Sequence, residues 1–182
     1  MDDQKRKSNI IKEYKKSLKQ NILTSRFNNE TYNENKAFRD RYISIGCVYC
    51  APYPVTFDIP KDNVMFVLEM NNDINKIMGI GMITNRTSRY IKSVYKHGNY
   101  NRHIYIGKYR IDRSEFTAEE ETIMKAFDRM CFKSNYHMKR GQGLLHFPIE
   151  SLYRVKVKVL DLVEFVNNMF KRRVEQKCIN SK

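Results

Sequence analysis

Two apolar, β-rich runs, "VMFVLEMN" at 64–71 and "IMGIGMIT" at 77–84, stand on either side of the turn-prone "NDIN". This arrangement restricts the chain more than any other feature. Runs of that length and composition read as strands, and so short a connection joins them as an antiparallel hairpin or meander. In the second run Ile77, Gly79, Gly81 and Ile83 share one face, while Met78, Ile80 and Met82 share the other. Two glycines on one face leave room for a backbone, a helix or a ligand to come close. The pattern is not a dinucleotide-binding turn, because GxG here has neither the third glycine nor a strand-to-helix context.

The flanking sequence adds strands and helices in alternation, which predicts an α+β domain. "RYISIGCVY" reads as a strand and is followed by "APYPVTFDIP", where Pro52, Pro54 and Pro60 impose an extended loop. "RHIYIGKYRI" alternates His103, Tyr105, Gly107, Tyr109 and Ile111 against Arg102, Ile104, Ile106, Lys108 and Arg110, as one strand would. Thr117 and Glu120 form a capping box for a helix over about 118–132, with Ile123, Met124, Phe127, Met130 and Cys131 on its apolar stripe. Residues 133–148 read as a basic, glycine-punctuated loop, "YRVKVKV" at 153–159 as a strand with a helical alternative, and Asp161 with Glu164 as the start of a final helix ending in "KRR". Upstream, Ile10, Ile11, Tyr14, Leu18 and Ile22 predict a basic amphipathic helix over 8–23, and the Asn-rich piece from Asn28 to Asn35 reads as a loop or linker. The expected organisation is therefore a basic helix and linker over 1–40, a single domain over 41–177 and a tail over 178–182.

Charge narrows the function classes. The 182 residues carry a net charge of +14, a field that draws phosphate polyanions or acidic proteins. Half of it falls between Arg86 and Arg113, where Arg86, Arg89, Lys92, Lys96, Arg102, Lys108, Arg110 and Arg113 face the single acid Asp112. The same stretch holds Tyr90, Tyr95, Tyr100, Tyr105 and Tyr109. Cations neutralise phosphates and aromatic faces stack on unpaired bases, so their interleaving suits single strands or flipped bases. Strand propensity alone also places tyrosines on half-buried faces with Lys and Arg on the wet side. Lys139 and Arg140 of "KRGQGLLHFP" extend the candidate phosphate contacts, with Gly141 and Gly143 either admitting an anion to the backbone or meeting turn dihedrals.

Other chemistries find less. No apolar run approaches the roughly 20 residues that cross a bilayer, so no membrane partner is expected, and "DDQKRKSN" after Met1 is unlike a secretory leader. An intracellular, cytoplasmic or nuclear location is expected, with reduced cysteines. "CVYC" at 47–50 has no paired second half for zinc, and Cys47 and Cys50 read as small buried hydrophobes. Glu119, Glu120 and Glu121 read as helix capping rather than a metal cluster. No catalytic residue, metal or cofactor is assigned, and a metal-dependent nuclease is the nearest enzymatic alternative.

The order of "VMFVLEM" and "GIGMI" strands, a basic aromatic strand, a helix and a late strand resembles the PUA-like superfamily, which includes EVE, ASCH and YTH domains. That resemblance, over about 42–165, implies a small curved mixed sheet or barrel flanked by helices and a pocket that takes a base, often a modified one. Tyr49, Tyr53, Tyr105, Tyr109 and Phe147 would have to form such a pocket, since the chain has no Trp. The Asn- and Lys-rich style is also similar to that of proteins of large nucleocytoplasmic DNA viruses, which would add the virion to the candidate locations. The expected function is a DNA- or RNA-binding module. Its phosphate contacts are Arg86, Arg89, Lys92, Lys96, Arg102, Lys108, Arg110, Lys139 and Arg140. The alternative is a basic structural or interaction protein without a base pocket.

Overall fold

A computed structural model describes residues 6, 21–55, 59–133, 137–148 and 161–179. They belong to two compact units, one of residues 22–147 and one of residues 1–21 with 148–182. The architecture is α+β. The first unit runs β1 (Asn21–Phe27), α1 (Asn29–Arg41), β2 (Cys47–Ala51), β3 (Val64–Asn71), β4 (Lys76–Thr84), β5 (His103–Gly107), β6 (Tyr109–Asp112), α2 (Ala118–Phe132) and β7 (Leu145–His146).

The expected hairpin is the centre of this unit's larger sheet. β3 and β4 pair antiparallel from Val64↔Thr84 to Asn71↔Lys76, with an irregularity between Leu68 and Met70. Asn75 takes the turn at φ 54°, a left-handed conformation that asparagine tolerates. β3 is buried on both faces from Met65 onward, which is why its sequence is a continuous apolar run rather than an alternation. A five-stranded sheet forms in the order β6-β4-β3-β1-β7, and β2 pairs with β5 in a separate two-stranded sheet. The larger sheet is mixed: its hairpin and its β4–β6 and β1–β7 pairs are antiparallel. The Asn72 N–H, in contrast, donates to the Phe27 carbonyl at 2.8 Å, bringing the C-terminal ends of β1 and β3 together. Among the described residues this sheet is open, with β6 and β7 at its ends, and does not close into a PUA-like barrel.

"RHIYIGKYRI" is not one strand. It breaks at Lys108, so that β5 pairs with β2 from Cys47↔Gly107 to Ala51↔His103 and β6 pairs with β4 from Gly79↔Asp112 to Met82↔Tyr109. A methyl group on Gly107 would lie 1.9 Å from the Met82 carbonyl oxygen, so this crossing between sheets requires glycine. The break also ends the predicted alternation, and Ile104 and Tyr105 are both buried.

The Asn-rich stretch expected as a loop is helix α1. Asn28 Oδ1 accepts from the Thr31 N–H at 2.8 Å and Thr31 Oγ1 accepts from the Asn28 N–H at 3.0 Å, a reciprocal cap in which threonine replaces the usual glutamate. The helix docks through Phe38 and through buried Asn35, whose Nδ2 donates to the Val48 carbonyl at 2.7 Å and to the Tyr95 hydroxyl at 3.0 Å. α1 continues to Arg41, so the strand expected from Tyr42 begins only at Cys47, and Ile43 between them is exposed.

α2 matches its expected bounds, with the Thr117–Glu120 box in place and Met124, Phe127 and Cys131 buried. The loop over 133–148 contributes the short edge strand β7, paired to β1. The predicted helix over 8–23 lies outside the described residues except for its last three, which open β1, and "YRVKVKV" lies outside them entirely. In the second unit, α3 (Leu162–Ile179) starts where Asp161 Oδ1 accepts from the Glu164 N–H at 3.0 Å and continues past "KRR". Leu162, Val163, Val166, Met169 and Phe170 are its buried residues. Among the described residues no helix is long and apolar enough to cross a membrane.

Candidate nucleic-acid interface

The hairpin register decides what lies beside the basic segment. Because Val64 pairs with Thr84, residues just before β3 and just after β4 leave the sheet side by side. The Asn85 N–H donates to the Asn63 carbonyl at 2.9 Å, and Asn85 Nδ2 donates to the Ile59 carbonyl at 2.7 Å. The chain after β4 then lies along β5, with the Ser88 N–H on the Ile104 carbonyl at 2.7 Å and a bridge from Thr87 to Tyr105. Between these segments opens a surface hollow of about 890 Å³. Lys61, Arg86, Arg89, Tyr90 and His103 line it, and among the described residues no Asp or Glu does.

Arg86 is positioned there by Asp62, with Nε 2.6 Å from Oδ1 and Nη2 2.9 Å from Oδ2. Both partners are exposed, so the pair is screened by solvent and can open to an incoming phosphate. The hydrogen bond to Asp62 and its charge raise the Arg86 pKa, and the hydrogen bond to Arg86 lowers that of Asp62. Tyr90 is 95% exposed on this surface, and Tyr53, next to the lining residue Pro54, is 71% exposed.

The other predicted phosphate contacts divide. Arg89, Lys92, Arg102, Lys108 and Arg140 are exposed, and Lys139 is half-buried. Lys96 is exposed, with its ammonium 3.7 Å from Glu34. Lys108 Nζ lies 5.6 Å from the centre of the Tyr109 ring. Arg110 is the correction. Its side chain is 7% exposed, with Nε 2.9 Å and Nη2 2.7 Å from the Glu69 carboxylate and Nη1 2.8 Å from Asp112. Burial pulls its pKa down, but the charge and hydrogen bonds of Glu69 outweigh burial and hold it above the usual range. Arg113 also turns inward, donating to the Ile77 carbonyl at 2.8 Å and to Asp128 at 2.9 Å.

The predicted base pocket does not form. Tyr49 is fully buried, its hydroxyl donating to Glu69 Oε1 at 2.7 Å. Tyr105 is 1% exposed, its hydroxyl accepting from the Val55 N–H at 2.9 Å. Phe147 packs on Phe127 with ring centres 5.5 Å apart, and Tyr109 is half-buried. The room left by the two glycines of β4 is filled from within. A methyl on Gly81 would lie 2.0 Å from the Tyr49 hydroxyl, and one on Gly79 would lie 2.7 Å from an Arg110 nitrogen.

Cys47 and Cys50 are buried in β2, where loss of solvent pushes both thiols up to about 12. No group of three or more His, Cys, Asp or Glu side chains among the described residues could hold a metal ion.

A second hollow, of about 560 Å³, lies between the end of β1, the start of α1, the 95–100 segment and the 141–143 turn. Gly141 and Gly143 adopt φ 119° and 71° there, so left-handed turn dihedrals account for both glycines.

Sequence reasoning missed Lys61 and His103 in the first hollow and Arg26 and Asn72 in the second. The hairpin register itself carries the signal for Lys61, since it forces the residues before β3 alongside Arg86. Compared with protein-family models, with curated proteins and with solved structures, the chain matches none.

Proposed function

We propose that this protein binds single-stranded nucleic acid, with phosphates held along the hollow lined by Lys61, Arg86 and Arg89 and a base stacked on Tyr90. The observation that carries this reading is the combination on one wall: three cations, of which Arg86 is paired only with exposed Asp62, and a tyrosine ring almost wholly in solvent. Cations release counterions from the phosphate chain, and an exposed ring offers any base a stacking face regardless of sequence. The exposed Arg102 and Lys108 extend the run of cations along the same part of the chain.

The test is fluorescence anisotropy of labelled single- and double-stranded oligonucleotides, of DNA and of RNA, across a salt series. Lys61→Ala, Arg86→Ala and Arg89→Ala should each lower the slope of log affinity against log salt by about 0.7 for a single strand. Tyr90→Ala should weaken binding by about 1–3 kcal/mol while leaving that slope unchanged. Slopes identical to that of the unaltered protein in all three cation variants would remove the hollow from the contact surface. A normal salt response with no effect of Tyr90→Ala would favour a basic interaction protein that holds an acidic partner without reading bases.

A further inference from the structure

One carboxylate stands beside the cations of the first hollow, and the turn that carries it fixes it there. Lys61, Asp62 and Asn63 lead from Pro60 into β3. The Asn63 N–H donates to the Pro60 carbonyl at 3.2 Å and the Asn85 N–H to the Asn63 carbonyl at 2.9 Å, which fastens this turn to the chain leaving β4. Asp62 takes φ 68°, a left-handed conformation for which glycine is the ordinary choice. Its carboxylate spans two donors of Arg86, with Oδ1 2.6 Å from Nε and Oδ2 2.9 Å from Nη2.

That geometry is also the one a phosphate takes. A guanidinium offers parallel N–H groups to two oxygens of one anion, and the non-bridging oxygens of a phosphodiester enter the same fork as a carboxylate. Oδ1 and Oδ2 of Asp62 therefore stand where phosphate oxygens would stand on Arg86. The hydrogen bond from Arg86 does most to lower the pKa of this carboxylate, and the charges of Arg86 and Lys61 add to it, so two cations act on one anion here. The Arg86 side chain is 65% exposed and that of Asp62 48%, so a partner can be exchanged from solvent without opening the fold.

We infer that Asp62 guards the phosphate seat on Arg86, its carboxylate filling the guanidinium fork until a nucleic-acid strand displaces it. The inference rests on the single-strand reading above and deepens it, by naming what decides which anions enter. An isolated anion gains only the fork and competes with a carboxylate tethered beside it. A strand also sets neighbouring phosphates against Lys61 and Arg89, and those contacts offset the loss of the Asp62 pair. The seat thus selects chains of phosphates over single ones.

Asp62→Asn removes the charge and keeps the shape. Asparagine already holds a left-handed position at Asn75, so the turn should persist, and thermal melts check that it does. Labelled oligouridylate and oligothymidylate are titrated by anisotropy, at one salt concentration, with the unaltered protein, Asp62→Asn, Arg86→Ala and the double variant. In parallel, inorganic phosphate is titrated against sodium chloride of equal ionic strength while the side-chain Nε–H signal of Arg86 is followed by NMR.

Asp62→Asn should bind the strand about 1.4- to 5-fold more tightly, the range that an exposed ion pair is worth, and that gain should vanish in the Arg86→Ala background. Inorganic phosphate should shift the Arg86 signal at lower concentration in Asp62→Asn than in the unaltered protein. A gain of equal size with and without Arg86 would reflect net charge alone and overturn the guard. Unchanged or weaker strand binding by Asp62→Asn would overturn it too, making Asp62 a residue that positions Arg86, and in both cases the groove reading stands. Phosphate that reaches Arg86 more readily in Asp62→Asn, while no variant binds a strand, supports the guard and overturns the groove reading. Absence of strand binding together with a phosphate response that Asp62→Asn leaves unaltered overturns both.

Discussion

Replacing Arg110 with Met tests whether this arginine is a core residue rather than a phosphate contact. Glu69 is 1% exposed, and its carboxylate is held by Arg110 through both Nε and Nη2 and by the Tyr49 hydroxyl. Without Arg110 a buried carboxylate keeps one neutral donor and loses its counter-charge, which costs about 3–5 kcal/mol. Glu69→Leu should cost a similar amount by stranding the guanidinium, although Asp112, 2.8 Å away and partly exposed, moderates the loss. The double variant Glu69→Leu/Arg110→Met removes both charges and fills the volume with apolar atoms. Its residual loss is then set mainly by the Tyr49 hydroxyl left without an acceptor, about 1–3 kcal/mol. Adding Tyr49→Phe should recover most of that. Urea denaturation followed by circular dichroism, run as a double-mutant cycle, should therefore find the double variant more stable than either single one. A typical domain is stable by about 5–15 kcal/mol, so each single loss would be plain. Losses that add, or an Arg110→Met variant with full stability and weakened strand binding, would refute the reasoning.

Two further outcomes follow from the same core. Gly81→Ala should destabilise by about 1–3 kcal/mol, as overpacking does, because its methyl would lie 2.0 Å from the Tyr49 hydroxyl and 2.8 Å from both the Tyr49 ring and the Cys47 sulfur; Tyr49→Phe in that background removes the closest contact only and should recover part of the loss, and no recovery in a thermal melt would place the strain elsewhere. Burial holds the Cys47, Cys50 and Cys131 thiols at about 12, against an ordinary 9.0, so the folded chain keeps protons that the unfolded chain gives up. Their contribution is thus complete below pH 9 and is lost as pH rises from there toward 12. Melting temperature should fall over that interval, and a flat profile to pH 11 would contradict the assignment.

What the sequence made legible follows how each signal is encoded. β3, β4 and α2 were readable because long apolar runs and a capping box act locally, within the segment that carries them. α1 was not, since its docking face is Phe38 together with Asn35, and an asparagine that serves as a core residue looks polar in any window. The single strand expected over 102–111 failed at Lys108, where pairing changes from β2 to β4, a choice made by distant partners. The site divided on the same ground. Arg86 and Arg89 could be read as wet cations because they follow the end of an apolar strand. Tyr49, Tyr105 and Phe147 could not be sorted from Tyr53 and Tyr90, because which tyrosine is covered depends on what packs across the sheet. The glycines of β4 correctly announced a close approach, and what approaches is the Tyr49–Glu69–Arg110 cluster.

The inward pair Arg110 and Arg113 carries one more implication. Four carboxylates attend them, Glu69 and Asp112 on the first and Glu121 and Asp128 on the second. Those two clusters together are anionic, so the remainder of the chain bears the entire +14 and two charges more. The far field is still that of the full +14, so the inward clusters change where the positive charge sits rather than how much of it acts at a distance.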